Sequence, residues 1–175
     1  MNAIGLSQCA CCRRAISMIE ILIVVLILAI AASLAVPMWS DADVTRLRAA
    51  ADLLAADLAF AQVESISHGD DLRLVVFDTD NNQYHIAASS DPDTPITNPV
   101  GNQPYVTQFG QGRAAELTGV TISGYSLGGD DQVQFGIYGQ LDQTTDATIS
   151  LACAGRSITL TLDAVTGEVT IGPIN

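Results

Sequence analysis

The sequence predicts an α+β protein in which a long N-terminal helix packs on antiparallel β-sheet. Three features support this prediction: an uncharged apolar run, an alanine-rich segment of helical periodicity after it, and short strand-like segments separated by turn residues. At 175 residues, the chain has room for one globular domain and an extension.

The apolar run extends from Ile21 to Ser40 and contains twenty residues without a charge. As a helix it would span roughly 30 Å, which is the thickness of a bilayer's hydrocarbon core. Arg13 and Arg14 precede the run, whereas five Arg and nineteen Asp or Glu follow Ala15. This asymmetry predicts a cytoplasmic N-terminus and a body on the other side of the membrane.

Glu20 stands immediately before this apolar run. Three interpretations of the run differ in how they account for this carboxylate. A cleaved secretory signal would have a shorter apolar core and a small-x-small cleavage site, which the residues around Pro37 do not supply. A plain signal anchor leaves Glu20 unexplained, because an unpaired carboxylate near hydrocarbon costs on the order of 2 to 3 kcal/mol. Cleavage before Ile16 would create an α-amine about one helical turn from Glu20. In a filament, that amine could pair with Glu20 of a neighbouring subunit.

The stretch "RRAISMIEILIVVLILAIAASLAVP" resembles the class III leader and N-terminal helix of type IV pilins and type II secretion pseudopilins. The resemblance implies that a prepilin peptidase cleaves between Ala15 and Ile16 and methylates Ile16. It also implies that Glu20 acts in assembly with other pilins or pseudopilins, and that Pro37 kinks the helix. Family members prefer Gly where this chain has Ala15, and Phe where it has Ile16.

The segment after Pro37 predicts an amphipathic helix that ends near Ser67, with Gly69 as its C-terminal stop. Apolar residues recur at three- and four-residue steps, and we expect this stripe to pack on the chain's own sheet: Val44, Leu47, Ala51, Leu54, Leu58 and Ala61. A coiled-coil seam with another chain is the alternative, but it needs sustained heptads. Charged and amide side chains are expected to point largely away from the stripe: Arg48, Asp52, Asp57, Gln62 and Glu64.

The rest of the chain predicts short strands. "LRLVVF" and "QYHIAA" flank the turn residues "DTDNN" and predict a hairpin. Four prolines between Ser89 and Pro104 predict an exposed loop. Alternation predicts that Ile158, Leu160 and Leu162 point inward. The remaining predicted strands are "GVTISGY", "VQFGIY", "ATISLA", "RSITLTL" and "EVTI", with a tight turn at Asp163–Gly167 before the last.

Two longer stretches, 46–77 and 139–171, resemble the H-type minor pseudopilins and their FimT-like relatives. The resemblance implies a leader over 1–15, a transmembrane helix over 16–39 and a periplasmic pilin-like domain over 40–175. It implies a non-enzymatic structural subunit of an inner-membrane type II secretion system, which acts in pseudopilus assembly and priming. The alternatives are a FimT-like minor pilin of a type IV pilus, some of which bind DNA during uptake, and a signal-anchored periplasmic binding module.

The charge composition of the chain indicates which partners it can bind. The formal charge is −12 with no lysine, and such an acidic surface repels nucleic acid phosphates and anionic lipid. Nucleic acid is therefore not expected as a partner, and no pattern predicts a cofactor.

Cys153 is expected to be a small buried core residue. The cysteine cluster before the run offers three sulfurs without a fourth ligand, so no metal site is expected there: Cys9, Cys11 and Cys12.

Two patterns imitate functional sites. "GYSLG" matches the nucleophile-elbow pattern around Ser126, but no helix is predicted after it, and His68 and His85 come earlier in the chain. We therefore expect a glycine-rich loop and no catalytic residue. The other, Asp78–Gln83, begins like a calcium loop but lacks the glycine and the bidentate glutamate, which favours a hairpin turn.

Overall fold

The computed structural model describes the backbone of residues 17–175 and the side chains of residues 17–32 and 42–175. The chain divides into two units, Met1–Trp39 and Ser40–Asn175. One helix, α1 (Met18–Ser67), begins in the first unit and ends in the second, where short strands and one 3-10 turn at Gly112–Ala114 follow it. This arrangement confirms the α+β class, and α1 ends two residues before Gly69 as predicted.

The described strands form two antiparallel sheets. Their bounds are β1 Arg73–Asp78, β2 Gln83–Ala88, β3 Asp91–Pro95, β4 Val106–Gln108, β5 Thr121–Ser126, β6 Gln132–Gln134, β7 Ala147–Cys153, β8 Arg156–Leu162 and β9 Val169–Ile174. The first sheet has the order β3-β2-β1-β6, and β4 also pairs with β2; the second sheet has the order β5-β7-β8-β9.

The predicted hairpin is confirmed as β1 and β2, which pair from Arg73 opposite Ala88 to Asp78 opposite Gln83. Its turn contains Asn82 at a φ of +53°, a conformation that asparagine tolerates well. The Asn82 amide also joins the two sheets. It donates to the Val120 carbonyl at 2.8 Å and accepts the Ile122 N–H at 2.9 Å.

One hydrophobic core lies between α1 and both sheets. The predicted stripe supplies its helical side, with five of its six residues fully buried: Leu47, Ala51, Leu54, Leu58 and Ala61. Both sheets supply the opposite side, including the predicted inward residues Ile158, Leu160 and Leu162, which are 0% exposed. At about 1.5 to 3 kcal/mol for each fully buried large aliphatic side chain, this core provides the main stabilisation of the second unit.

Three predictions about the second unit were wrong. The predicted strand "VQFGIY" ends early, because β6 covers only Gln132–Gln134 and a turn follows in which the Gly139 N–H donates to the Gly136 carbonyl. The expected loop Ser89–Pro104 contains strand β3, which pairs Ala87 with Pro95 and Ala88 with Asp91. Its prolines are tolerated because β3 is an edge strand, where one side of the backbone needs no ladder hydrogen bond. Asp57, expected to point away from the core, is instead buried in it.

Candidate functional site

The first turn of α1 places a carboxylate at the start of an apolar helix. The Ser17 carbonyl accepts the N–H groups of Glu20 at 3.0 Å and Ile21 at 3.3 Å, so the helix begins immediately after Ser17. Glu20 is the acidic residue of that first turn. A negative charge is favourable there, because the first N–H groups of a helix carry a partial positive charge.

Around Glu20 the helix surface is apolar on every side. Its large hydrophobic side chains are 49% to 92% exposed. These residues are Met18, Ile19, Ile21, Leu22, Ile23, Val24, Val25, Leu26, Ile27, Leu28 and Ile30. An apolar surface of this extent needs to be covered by lipid or by protein. Glu20 lines a shallow groove on it with Ile21, Val24 and Val25.

Glu20 has no Lys or Arg within five residues of it in the sequence. The chain contains no lysine, and no arginine occurs between Arg14 and Arg46. Within residues 17–32 and 42–175, the structure gives Glu20 no ion pair. A carboxylate in such an apolar setting can act as a specific acceptor for a cationic group, either from the start of the chain or from another chain.

The other residues predicted for this site are not tested. Ala15 and Ile16 lie outside the described residues, as do Cys9, Cys11 and Cys12. Pro37 lies within α1, in the stretch whose side chains are not described. Cleavage, methylation and the kink therefore stay predictions. Over the described residues, α1 contains no stretch with the length and hydropathy that a membrane-spanning helix needs.

A buried charge cluster in the second unit was missed by the sequence-based interpretation. The Asp57 carboxylate, 2% exposed, accepts hydrogen bonds from the hydroxyls of Tyr84 at 2.8 Å, Tyr105 at 3.0 Å and Thr107 at 3.2 Å. The Arg113 guanidinium donates to both carboxylate oxygens, at 3.1 and 2.9 Å. The carboxylate is thus paired and fully hydrogen-bonded, as a buried charge requires.

This Asp57 cluster holds the segment 105–114 against α1. The guanidinium of Arg113 also lies 5.1 Å from the centre of the Tyr105 ring, on which Phe60 stacks. A signal for the cluster was present, since position 57 follows Leu54 by three residues and so lies on the apolar stripe.

The Asp57 cluster also shifts the titration of its phenols. Burial, followed by the Asp57 charge, raises the pKa of Tyr84 well above its usual value of 10.0. The same two causes raise the pKa of Tyr105. A raised folded-state pKa favours the neutral phenol. The stabilisation that the two neutral phenols contribute is therefore present below pH 10.0 and is lost as the pH rises through their folded-state pKa values.

A second polar contact ties the end of α1 to two loops. The Gln62 side-chain amide donates to the carbonyls of Gly139 and Thr166, both at 2.8 Å. Gly139 and Gly167 have φ values of +86° and +68°, which glycine adopts without strain. A Cβ at Gly167 would clash with the Gly139 carbonyl oxygen, so the three elements meet with no spare room. We call this contact the Gln62 junction.

The two sequence patterns that resemble a nucleophile elbow and a calcium loop form turns in the structure. Ser126 ends β5, and a β-bridge between Leu127 and Asp130 encloses two glycines, which confirms a glycine-rich loop at this position. In the hairpin turn, the Asp78 carboxylate accepts the backbone and side-chain N–H groups of Asn81 and the amide of Gln83. These bonds, that of the Asn81 side chain first, lower the pKa of Asp78.

Cys153 is buried at 4% exposure and belongs to the core, as predicted. Burial, followed by the charge of Asp43, raises the pKa of its thiol. In the part of the chain that the structure describes, no group of three or more His, Cys, Asp or Glu is placed to hold a metal ion.

Comparison with known proteins relates the fold to two solved structures. The type IV minor pilin FimU of Pseudomonas aeruginosa is 18% identical, with a TM-score of 0.53 over 74% of this chain and 90% of that one. The minor pseudopilin EpsH from the Type 2 Secretion System of Vibrio cholerae is 15% identical, with a TM-score of 0.53 over 73% of this chain and 96% of that one. No protein-family model matches the sequence, and comparison with curated proteins gives no match. The chain therefore has the fold of the minor pilins and minor pseudopilins.

Proposed function

We propose that this chain is a minor pseudopilin, a structural subunit of a type II secretion pseudopilus that acts in filament assembly and priming for protein export. The observation that supports this most is the lone carboxylate of Glu20 in the first turn of a helix that is apolar on every side. That helix belongs to the same chain as a domain with a minor-pilin fold.

Assembly follows from the charges at the start of the mature chain. A prepilin peptidase would remove Met1–Ala15 and methylate Ile16, leaving an α-amine about one turn from Glu20. In hydrocarbon, an unpaired amine and an unpaired carboxylate both cost several kcal/mol. Pairing the amine of one subunit with Glu20 of the next removes both costs at once, while neighbouring helices cover the apolar surface.

In this role the chain has a defined location in the cell and defined partners. The apolar run anchors the chain once in the inner membrane, with a cytoplasmic N-terminus and residues 40–175 in the periplasm. The partners are other pseudopilins, through their N-terminal helices, and the peptidase. The role needs no cofactor and no enzymatic activity. The net charge of −12 argues against binding nucleic acid, and so against a role in DNA uptake.

A FimT-like minor pilin of a type IV pilus is the second candidate, because FimU has an equally similar fold. Deletion of the gene in its native bacterium, with complementation by the wild-type chain, separates the two. We expect lost protein export with surface pili retained, measured by secretome mass spectrometry and by electron microscopy of pili. Lost pili with normal export would favour the second candidate. Loss of neither would contradict both and favour an anchored binding module.

A further inference from the structure

Exposed apolar side chains in the second unit concentrate at one place. Among residues 42–175, six large hydrophobic side chains are exposed, and five of them lie within four residues of Gln62, Gly139 or Thr166 in the sequence. They come from the end of α1 and from two loops, and we call them the apolar patch: Val63, Ile66, Ile137, Tyr138 and Val165. Clustered exposure of this kind marks an interaction surface, whereas scattered single residues do not.

The members of the patch are close together. The Cδ1 atom of Ile66 lies 3.2 Å from the position that a Cβ at Gly139 would take. The Cγ2 atom of Ile137 lies 3.5 Å from the position that a Cβ at Gly69 would take. Tyr138 and Val165 line one pocket. Tyr138 and Val165 are 83% and 79% exposed, so the core does not account for either of them.

The Gln62 junction fixes the patch in one arrangement. The two hydrogen bonds of Gln62 hold both loops to α1, and Gly167 approaches the Gly139 carbonyl so closely that no side chain fits between the loops. A surface that is ordered before binding loses less conformational entropy when a partner docks. Tyrosine is among the residue types that are enriched at the hot spots of protein interfaces.

The charges beside the patch determine what can cover it. Residues 62–69, 135–142 and 163–168 contain four acids: Glu64, Asp142, Asp163 and Glu168. Glu64 lies 3.3 Å from His68 and 3.9 Å from Arg73, so the other three acids give the margin its negative charge. A second copy would bring two acidic margins together, and like charges across an interface oppose binding. Anionic lipid is repelled for the same reason.

We propose that the apolar patch docks a different pilin-like subunit, whose contacting face has an apolar centre bordered by Arg or Lys. This inference rests on the proposed function, because the partner is another subunit of the same filament. The contact is separate from the helix packing at Glu20, since its residues all belong to the second unit.

Site-specific photo-crosslinking of the full chain in native cells tests the proposal. A photoreactive residue replaces Tyr138 or Val165 in turn, and Val100, also 83% exposed but outside the patch, is the matched control. A further position, Val24, reports helix packing. We expect adducts with one other pilin-like subunit from positions 138 and 165, about tenfold above position 100. Reversing the charge with Glu168→Lys should reduce them about twofold to fivefold, whereas Glu116→Lys should not.

Each outcome decides the matter. Adducts with a second copy of this chain, with lipid, or at equal yield from position 100 would overturn the docking proposal. If adducts form from position 24 but not from 138 or 165, the docking proposal fails while the proposed function stands. If no adduct with another pilin-like subunit forms from any of these positions, the proposed function itself fails.

Discussion

Replacing Glu20 with Ala is expected to exclude the chain from assembled filaments while leaving it in the membrane fraction. The helix remains apolar without Glu20, so we expect the proposed membrane anchoring to be retained. The partner's α-amine, however, loses its acceptor. An unpaired charge near hydrocarbon costs on the order of 2 to 3 kcal/mol, which corresponds to roughly a 30- to 150-fold loss of incorporation. Quantitative immunoblotting of sheared filaments against membranes measures the ratio.

The Glu20→Gln variant separates charge from shape. Glutamine has nearly the same size and can still accept a hydrogen bond, but it carries no charge to balance an amine. We expect Glu20→Gln to behave much as Glu20→Ala does. Ile21→Ala, at the next position, removes apolar surface without touching the charge and should reduce incorporation only slightly. Normal incorporation of Glu20→Gln would show that charge pairing is not what Glu20 provides.

Replacing Asp57 with Ala is expected to lower the free energy of unfolding of the second unit by about 3 kcal/mol. The change leaves the fully buried hydroxyls of Tyr84 and Thr107 without their shared acceptor. It also leaves the Arg113 guanidinium, whose side chain is 34% exposed, without its partner. Pulse proteolysis of the full chain across a urea series measures the loss.

Asp52→Ala is the matched control, five residues earlier on the same helix. The Asp52 side chain is 59% exposed and lies 3.7 Å from Arg48, a surface pair that contributes little. We expect its effect to stay within about 0.5 kcal/mol. The double variant Asp57→Ala/Arg113→Met should be less destabilised than the sum of its two single variants, because both remove the same interaction. Equal effects of the two Asp variants would refute the account of the Asp57 cluster.

The elements that local periodicity specifies were predictable. Strand β8 alternates along its length, and its inward residues Ile158, Leu160 and Leu162 are all buried. The turn after it is set by the Asp163 carboxylate, which accepts the N–H groups of Val165 and Thr166 at 3.0 and 2.8 Å. Such signals lie within a few residues of the element that they determine.

The polar contacts could not be predicted in the same way, because their partners are far apart in the sequence. Asp57 meets Tyr84 and Arg113 across 27 and 56 residues, and Gln62 meets Gly139 and Thr166 across 77 and 104. No local pattern specifies such pairs. Of the candidate site, the sequence located the lone carboxylate beside the apolar run, and the structure places Glu20 in the first turn of α1.

N-terminal mass spectrometry of the protein from native membranes tests the central claim most directly. The account predicts a mature chain that begins at Ile16 and is heavier by one methyl group, which would give Glu20 the neighbouring amine that assembly requires. A chain that retains Met1–Ala15 in cells with an active prepilin peptidase would contradict it. The substitutions at Ala15 and Ile16 would then prevent processing, and the protein would be a simple anchored module.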